Sequence, residues 1–346
     1  MFYIWRIFDW LYREYIMTVL IVDVAAENGG ALTIFDQFRK EFEEDQNNRY
    51  VCLLSKPEYQ NCRNVTYKNY KWVKKSFIHR LYFDNFYIKK VISEVKPDRI
   101  LSLQNNSVNS GGIEQEVYFH NALLFSEKRY SIRESKELWI YQTIIARIVR
   151  RSLKRASKIY VQAEWIKHAI NKSWNIEEER IVVKPPYPEL KLSELNGYRR
   201  NKDVFYPANY ALYKNYDTLL KACLSVWKQR GTECGLKLHL LGLEADFRSA
   251  YGEYFGNEEY PIYFHGRLTK REMFEMYQTT SLVFPSFVET VGLPLMESAS
   301  VGSYVMAADL EYAHEALSGY NHCAYFNPKD EGSLEKLLLE LVDGGN

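Results

Sequence analysis

Residues 281–297 read Ser281-Leu282-Val283-Phe284-Pro285-Ser286-Phe287-Val288-Glu289-Thr290-Val291-Gly292-Leu293-Pro294-Leu295-Met296-Glu297, and their order sets the architecture. The apolar run before Pro285 is short and bounded by breakers, which predicts a buried strand; Gly-Leu-Pro followed by Leu295, Met296, Glu297 and Ala299 predicts the first turn of a helix. Gly292 lets backbone approach a ligand closely, and the free amides of the helix start suit an anion. Glu289 then stands in the loop and Glu297 in the first helical turns, both able to accept hydrogen bonds from a polyhydroxylated ligand whose phosphate meets the amides. Taken singly, either glutamate is better explained as a helix-start charge favoured by the macrodipole than as a ligand; the joint pattern is what points to a site.

Working outward, the same strand-to-helix alternation recurs along the chain. In the first half, strands are predicted near 18–24, 50–54, 99–103, 117–120, 158–162 and 181–184, with amphipathic stretches at 31–44, 78–95 and 134–155. In the second half, strands near 203–207, 236–241, 262–265, 281–285, 304–307 and 324–326 alternate with helices near 214–229, 270–278, 292–301 and 333–342. Such alternation predicts parallel sheets covered on both faces, and hence two doubly wound, Rossmann-like α/β domains with ligands at the carboxyl ends of the strands, in a cleft. The expected divisions are an aromatic extension at 1–16, a first domain at 17–190, a linker at 191–202 following Pro185, Pro186 and Pro188, and a second domain at 203–346.

The bulk numbers agree. A chain of 346 residues, 47% apolar, can bury two cores. Residues 1–200 carry 33 Lys and Arg against 24 Asp and Glu, whereas the remainder carries 12 against 20. Charge split this way directs phosphates or an anionic surface toward the first half, although a chance asymmetry gives the same count. Five scattered cysteines form no Cys-x-x-Cys pair, so neither a disulfide framework nor a zinc site is expected, which fits a cytoplasmic protein. No run reaches the roughly 18 uncharged apolar residues of a spanning helix. Residues 1–16 lack a small-residue cleavage site; they read either as a segment lying in a membrane interface or as unselected sequence upstream of Met17.

The segment 285–297 resembles the Glu-x7-Glu signature of the retaining nucleotide-sugar glycosyltransferases of family 4, usually Pro-Ser-x-x-Glu-x-Phe-Gly-Leu-Pro-x-x-Glu-Ala. Val291 replaces the usual Phe and Ser298 the usual Ala. The resemblance extends over nearly all of residues 17–330 and implies the GT-B fold, whose usual last helix crosses back onto the first domain. With the chain stopping at Asn346, that helix is expected to be missing or shortened.

Residue by residue, the resemblance implies that Glu297 holds ribose hydroxyls and Glu289 hydroxyls of the donor sugar. Amides around Thr290, Val291, Gly292 and Leu293, with Lys214, would neutralise the diphosphate. Asn209 stands where the family has an arginine, and Arg267 in Phe264-His265-Gly266-Arg267 is read either as its replacement or as an ordinary surface charge. Asn28-Gly29-Gly30 reads alone as a tight turn and by resemblance as the loop whose Gly29 and Gly30 amides face donor diphosphate and acceptor. His120, closing Val117-Tyr118-Phe119, is either a satisfied structural group or the family's contact to the transferred sugar. No cofactor is implied: the nucleotide sugar is a substrate, and lysine and amides replace a metal.

The implied activity is transfer of a sugar to a saccharide or lipid-linked saccharide hydroxyl in surface polysaccharide synthesis. A nucleotide-sugar epimerase of the same fold and a non-catalytic binding subunit are the competing readings. Residues 68–90 interleave seven cations with aromatics, which fits anionic lipid headgroups and a peripheral site at the inner membrane face. Residues 147–158 are equally basic and equally well explained as a solvated helix face. No nucleic-acid module is present, so no nucleic-acid partner is expected.

Overall fold

The computed structural model describes residues 16–27, 29–185, 201–254, 256 and 258–344. The expected extension at 1–16, apart from Ile16, and residues 191–200 of the expected linker lie outside the described residues. Two compact units emerge. One holds the described residues up to Asn121 and from Ser131 to Pro185; the other holds Ala122–Tyr130 and the described residues from 201 onward.

The first unit is a seven-stranded parallel sheet in the order β3-β2-β1-β4-β5-β6-β7. Its strands are β1 (Thr18–Asp23), β2 (Arg49–Leu54), β3 (Val65–Asn69), β4 (Arg99–Ser102), β5 (Gln115–Phe119), β6 (Lys158–Val161) and β7 (Ile181–Val183). Residues of β1 alternate between two cores. Val19 and Ile21 meet Phe35, Phe38 and Phe42 of α1 (Gly29–Glu44) on one face. Leu20 and Val22 meet Phe83, Ile88 and Val91 on the other. Period-two alternation into two covered faces is what makes a parallel sheet stable.

The stretch expected as one helix at 78–95 is α2 (Phe77–Tyr82) and α3 (Ile88–Val95), joined by a single π-turn, Phe83–Tyr87. That expected at 134–155 is α4 (Lys136–Ile140), a π-turn at Tyr141–Ile145 and α5 (Ala146–Leu153). α6 (Glu164–Trp174) leads to β7. Strand β3 escaped the sequence reading. Its Val65 and Tyr67 face the core while Thr66, Lys68 and Asn69 do not, so a half-polar edge strand looked like part of a basic stretch.

The second unit is a six-stranded parallel sheet, β10-β9-β8-β11-β12-β13, built from β8 (Asp203–Tyr206), β9 (Lys237–Leu240), β10 (Ile262–Phe264), β11 (Ser281–Phe284), β12 (Val305–Ala308) and β13 (Cys323–Phe326). Its helices are α7 (Tyr216–Arg230), α8 (Glu244–Tyr251), α9 (Lys270–Thr279), α10 (Leu293–Ser300), α11 (Glu311–Ala316) and α12 (Glu331–Val342). α6, α8 and α11 were not anticipated; two of the three have fewer than ten residues, too short for a clear helical period. α12 packs along α7.

Each sheet reverses its direction of growth once, between β1 and β4 and between β8 and β11. Loops leaving adjacent strands on opposite sides of such a reversal diverge, and the crevice between them is where doubly wound sheets bind ligands. The five cysteines are unpaired, two of them buried.

Candidate functional site

In the second unit the reversal lies between β8 and β11, and the loops that follow these strands are 207–215 and 285–292. They carry Lys214 and Glu289. Nζ of Lys214 lies 2.5 Å from Oε1 of Glu289, with each side chain 17% exposed. A primary ammonium and a carboxylate thus share a largely water-excluded place, where each is strengthened electrostatically.

The loops hold that geometry by explicit hydrogen bonds. The Tyr206 hydroxyl, at the end of β8, donates to the Lys214 carbonyl at 2.7 Å and accepts from the Ser286 hydroxyl at 2.8 Å. The amide of Phe287 donates to the Tyr213 carbonyl at 2.8 Å. Asn215, buried and left-handed at φ 57°, sends Nδ2 to the carbonyls of Pro285 and Pro328 and accepts from Thr218 through Oδ1. From α11, the Tyr312 hydroxyl donates to the Ser286 carbonyl at 2.8 Å. Asparagine tolerates the left-handed region better than other side-chain-bearing residues, and its amide bolts the two loops together.

Gly292 caps α10 in a left-handed conformation, φ 71°. A Cβ there would stand 3.1 Å from Leu295 Cδ1 and 3.4 Å from the Tyr312 ring, so glycine is needed both for conformation and for space. Leu293 and Pro294 open the helix just beyond it; Pro294 has no N–H, and the Leu295 amide donates to the Gly292 carbonyl at 2.9 Å, so Leu293 supplies the amide at the helix start. Glu297 lies within the same helix, where its Oε2 accepts from the Tyr277 hydroxyl of α9 at 3.1 Å. Burial raises its pKa above the usual carboxylate value, with the Tyr277 hydrogen bond and Lys270 opposing. Thr290 and Val291 are half-buried in the loop between the two glutamates.

Other expected residues are placed differently. Asn209 is exposed after β8, and Arg267 is exposed in the turn after β10, the edge strand, two positions from β8. Strand spacing alone puts that turn roughly 10 Å from the loop carrying Lys214. It is anchored instead to the loop after β9 by reciprocal Gly242 and Gly266 hydrogen bonds of 2.9 and 3.1 Å.

Gly29 and Gly30 belong to the first unit, where they begin α1 immediately after the loop leaving β1; Asn28 lies outside the described residues. His120 follows β5 directly. Its amide donates to Asn105 Oδ1 at 2.6 Å, and its Nε2 lies 3.2 Å from the Leu103 carbonyl and 3.1 Å from Asn105 Nδ2. Burial depresses its pKa to about 4, against the Leu103 hydrogen bond, so the imidazole is neutral at pH 7 and fit to hydrogen-bond rather than to carry charge. Asn105, itself left-handed at φ 67°, is the positioning residue that sequence reading missed. Its sequence signal was the Asn105-Asn106 pair after a strand, a left-handed turn signature.

Among the described residues no group of three or more His, Cys, Asp or Glu is arranged to hold a metal ion. No helix among them is long and apolar enough to cross a membrane.

Two doubly wound parallel-sheet units, each with one switch point, match the GT-B class of fold. Residues 201–343 match the family model described as glycosyl transferases group 1. The chain is 21% identical over 204 residues to the O-antigen chain mannosyltransferase RfbU of Salmonella typhimurium, covering 56% of this chain and 53% of that protein; it therefore spans about half the length of the curated relative it matches. Among solved structures it resembles WaaG, a glycosyltransferase involved in lipopolysaccharide biosynthesis, with a TM-score of 0.66 at 14% identity, over 94% of this chain and 90% of that one. It also resembles Anabaena HepE in complex with UDP and glucose, with a TM-score of 0.61 at 15% identity, over 93% and 89% of the two chains.

Proposed function

We propose that this protein is a retaining glycosyltransferase that moves a sugar from a nucleoside diphosphate to a saccharide hydroxyl in surface polysaccharide assembly. The observation that carries the reading is the Lys214–Glu289 pair, held by stitched loops at the switch point beside the start of α10. On this reading the diphosphate takes over the Lys214 ammonium and lies against the amides around Thr290, Val291, Gly292 and Leu293. Glu289, released from the lysine, accepts hydroxyls of the donor sugar, and Glu297 accepts those of the ribose. The bond from anomeric carbon to phosphate oxygen breaks while the acceptor oxygen bonds to the same face of that carbon. The acceptor proton passes to the leaving phosphate. Neutralising the leaving group is then the main catalytic contribution, on the order of several kcal/mol.

His120, neutral and fixed by Asn105, supports a hydrogen-bonding role toward the transferred sugar, with Gly29 and Gly30 on the acceptor side. Asn209 supplies no charge, and Arg267 provides the second cation only if its turn serves the site. No metal or other cofactor takes part. RfbU is an O-antigen chain mannosyltransferase and WaaG is involved in lipopolysaccharide biosynthesis, and a lipid-linked saccharide acceptor at the inner membrane face is the corresponding proposal here.

Incubation with UDP-, GDP- and ADP-sugars, with and without saccharide acceptors, tests the reading by NMR of the product. An acceptor-dependent product keeping the donor's anomeric configuration is expected. An inverted product contradicts retention. A new nucleotide sugar formed without acceptor identifies an epimerase, and binding without turnover identifies a non-catalytic subunit.

A further inference from the structure

The connections β3→β4 and β5→β6 run in the same direction across the first sheet. Right-handed crossovers therefore put α2–α3 and α4–α5 on one face, opposite α1. The loop between β4 and β5 ties the pair together: the Asn109 amide donates to the Asp84 carbonyl at 2.8 Å, and the Ser107 hydroxyl donates to the Ser152 carbonyl at 3.1 Å.

The outer surface of both crossovers is apolar where a solvated face would be polar. Ile78, Tyr82 and Phe86 follow at four-residue intervals, and Ile78 and Phe86 are 75% and 66% exposed. Phe77 is exposed beside them, and the Tyr82 and Phe86 rings stack on each other at 5.9 Å, with Tyr82 also meeting the Trp72 ring at 6.1 Å while staying exposed. On the second crossover Tyr141, Ile144 and Ile148 are exposed along one side. Each crossover carries its π-turn within this stretch.

Cations flank the apolar side chains. Lys75, Lys89 and Lys90 on the first crossover, and Arg147 and Arg151 on the second, are exposed. None of these forms an ion pair with a carboxylate among the described residues, whereas Lys68, Lys71, Lys74 and Arg80 nearby are each paired. Exposed aromatics and aliphatics bordered by unpaired cations match the layering of a bilayer interface, where rings reach the acyl boundary and long cationic side chains reach phosphates. A second copy meeting this face by two-fold symmetry would set cations against cations.

We infer that the outer face of α2–α3 and α4–α5 is a docking surface for an anionic lipid bilayer, inserting Ile78, Tyr82, Phe86, Tyr141, Ile144 and Ile148 between headgroups held by the flanking lysines and arginines. This deepens the membrane proposal above, yet it does not depend on sugar transfer, so it is tested without donor or acceptor. The assay is co-sedimentation of the full chain with vesicles of phosphatidylcholine containing about a third phosphatidylglycerol, and with phosphatidylcholine alone. Binding to the anionic vesicles is expected, weakened on the order of tenfold or more both by Ile78→Ser/Phe86→Ser and by Lys89→Glu/Lys90→Glu. These side chains are exposed, so each variant should melt at the temperature of the parent. Absence of binding to anionic vesicles, equal binding to neutral ones, or unchanged binding in either folded variant overturns the inference. Self-association of the parent that the serine variant abolishes, without vesicle binding, assigns the face to a second copy and also overturns it.

Discussion

At the scale of single residues, the two glutamates of the signature occupy unlike environments. Glu289 is matched to a lysine, whereas Glu297 is matched to a neutral phenol and has its pKa raised by burial. A carboxyl whose folded pKa lies above its ordinary 4.5 binds more protons folded than unfolded, so its contribution to stability falls as pH rises from about 4.5 through the folded value. Denaturation midpoints measured against pH should show this fall in the parent and not in Glu297→Gln. Affinity for nucleoside diphosphates should run the other way, rising as the carboxylate forms, and a flat profile would remove Glu297 from the ribose site. Ser298, where the family signature has alanine, is fully buried with its hydroxyl unpartnered among the described residues. Ser298→Ala should therefore raise stability by roughly 1 kcal/mol in chemical denaturation. Glu289, Lys214 and Glu297 were legible because each sits at a fixed offset from a glycine or a strand end. Asn215, Tyr206, Ser286 and Tyr312 were not, because all their partners but Thr218 lie 8 to 113 positions away and only the folded sheet brings them together.

At the scale of elements, the site is made by two loops that share hydrogen bonds rather than by any one motif. Asn215→Ala removes bonds to Pro285, Pro328 and Thr218 and leaves a non-glycine, non-asparagine residue at φ 57°. A loss of about 3 kcal/mol is expected from equilibrium unfolding, with turnover falling at the same time because Lys214 loses its anchor. A variant as stable as the parent would show that the stitching is incidental. Elements with long apolar runs, such as β1, β11 and β12, were predictable to within a residue or two. β3 was not, since an edge strand needs burial on few positions and can carry Lys68 and Asn69 without penalty. α10 begins one residue later than the Gly-Leu-Pro pattern suggested, because Gly292 takes the left-handed cap and not the first helical turn.

At the scale of the whole molecule, each unit repeats one plan: a parallel sheet that reverses direction once, with Gly29 and Gly30 following β1 in the first unit and Lys214 and Glu289 following β8 and β11 in the second. Alternation of strands and helices made that plan readable, because a strand covered on both faces must be apolar nearly throughout. The charge division between the halves has a partial structural counterpart, since Lys75, Lys89, Lys90, Arg147 and Arg151, none ion-paired among the described residues, lie on the two long crossovers of the first unit. The central claim is that the second unit binds a nucleoside diphosphate through Lys214 and the start of α10. Isothermal titration calorimetry of the full chain with UDP, GDP and ADP, repeated on Lys214→Ala, tests it most directly. One of the three diphosphates should bind, with affinity reduced on the order of tenfold in the variant for loss of a charge-assisted contact. Folded protein that binds none of them, or a Lys214→Ala variant that binds as tightly as the parent, would contradict it.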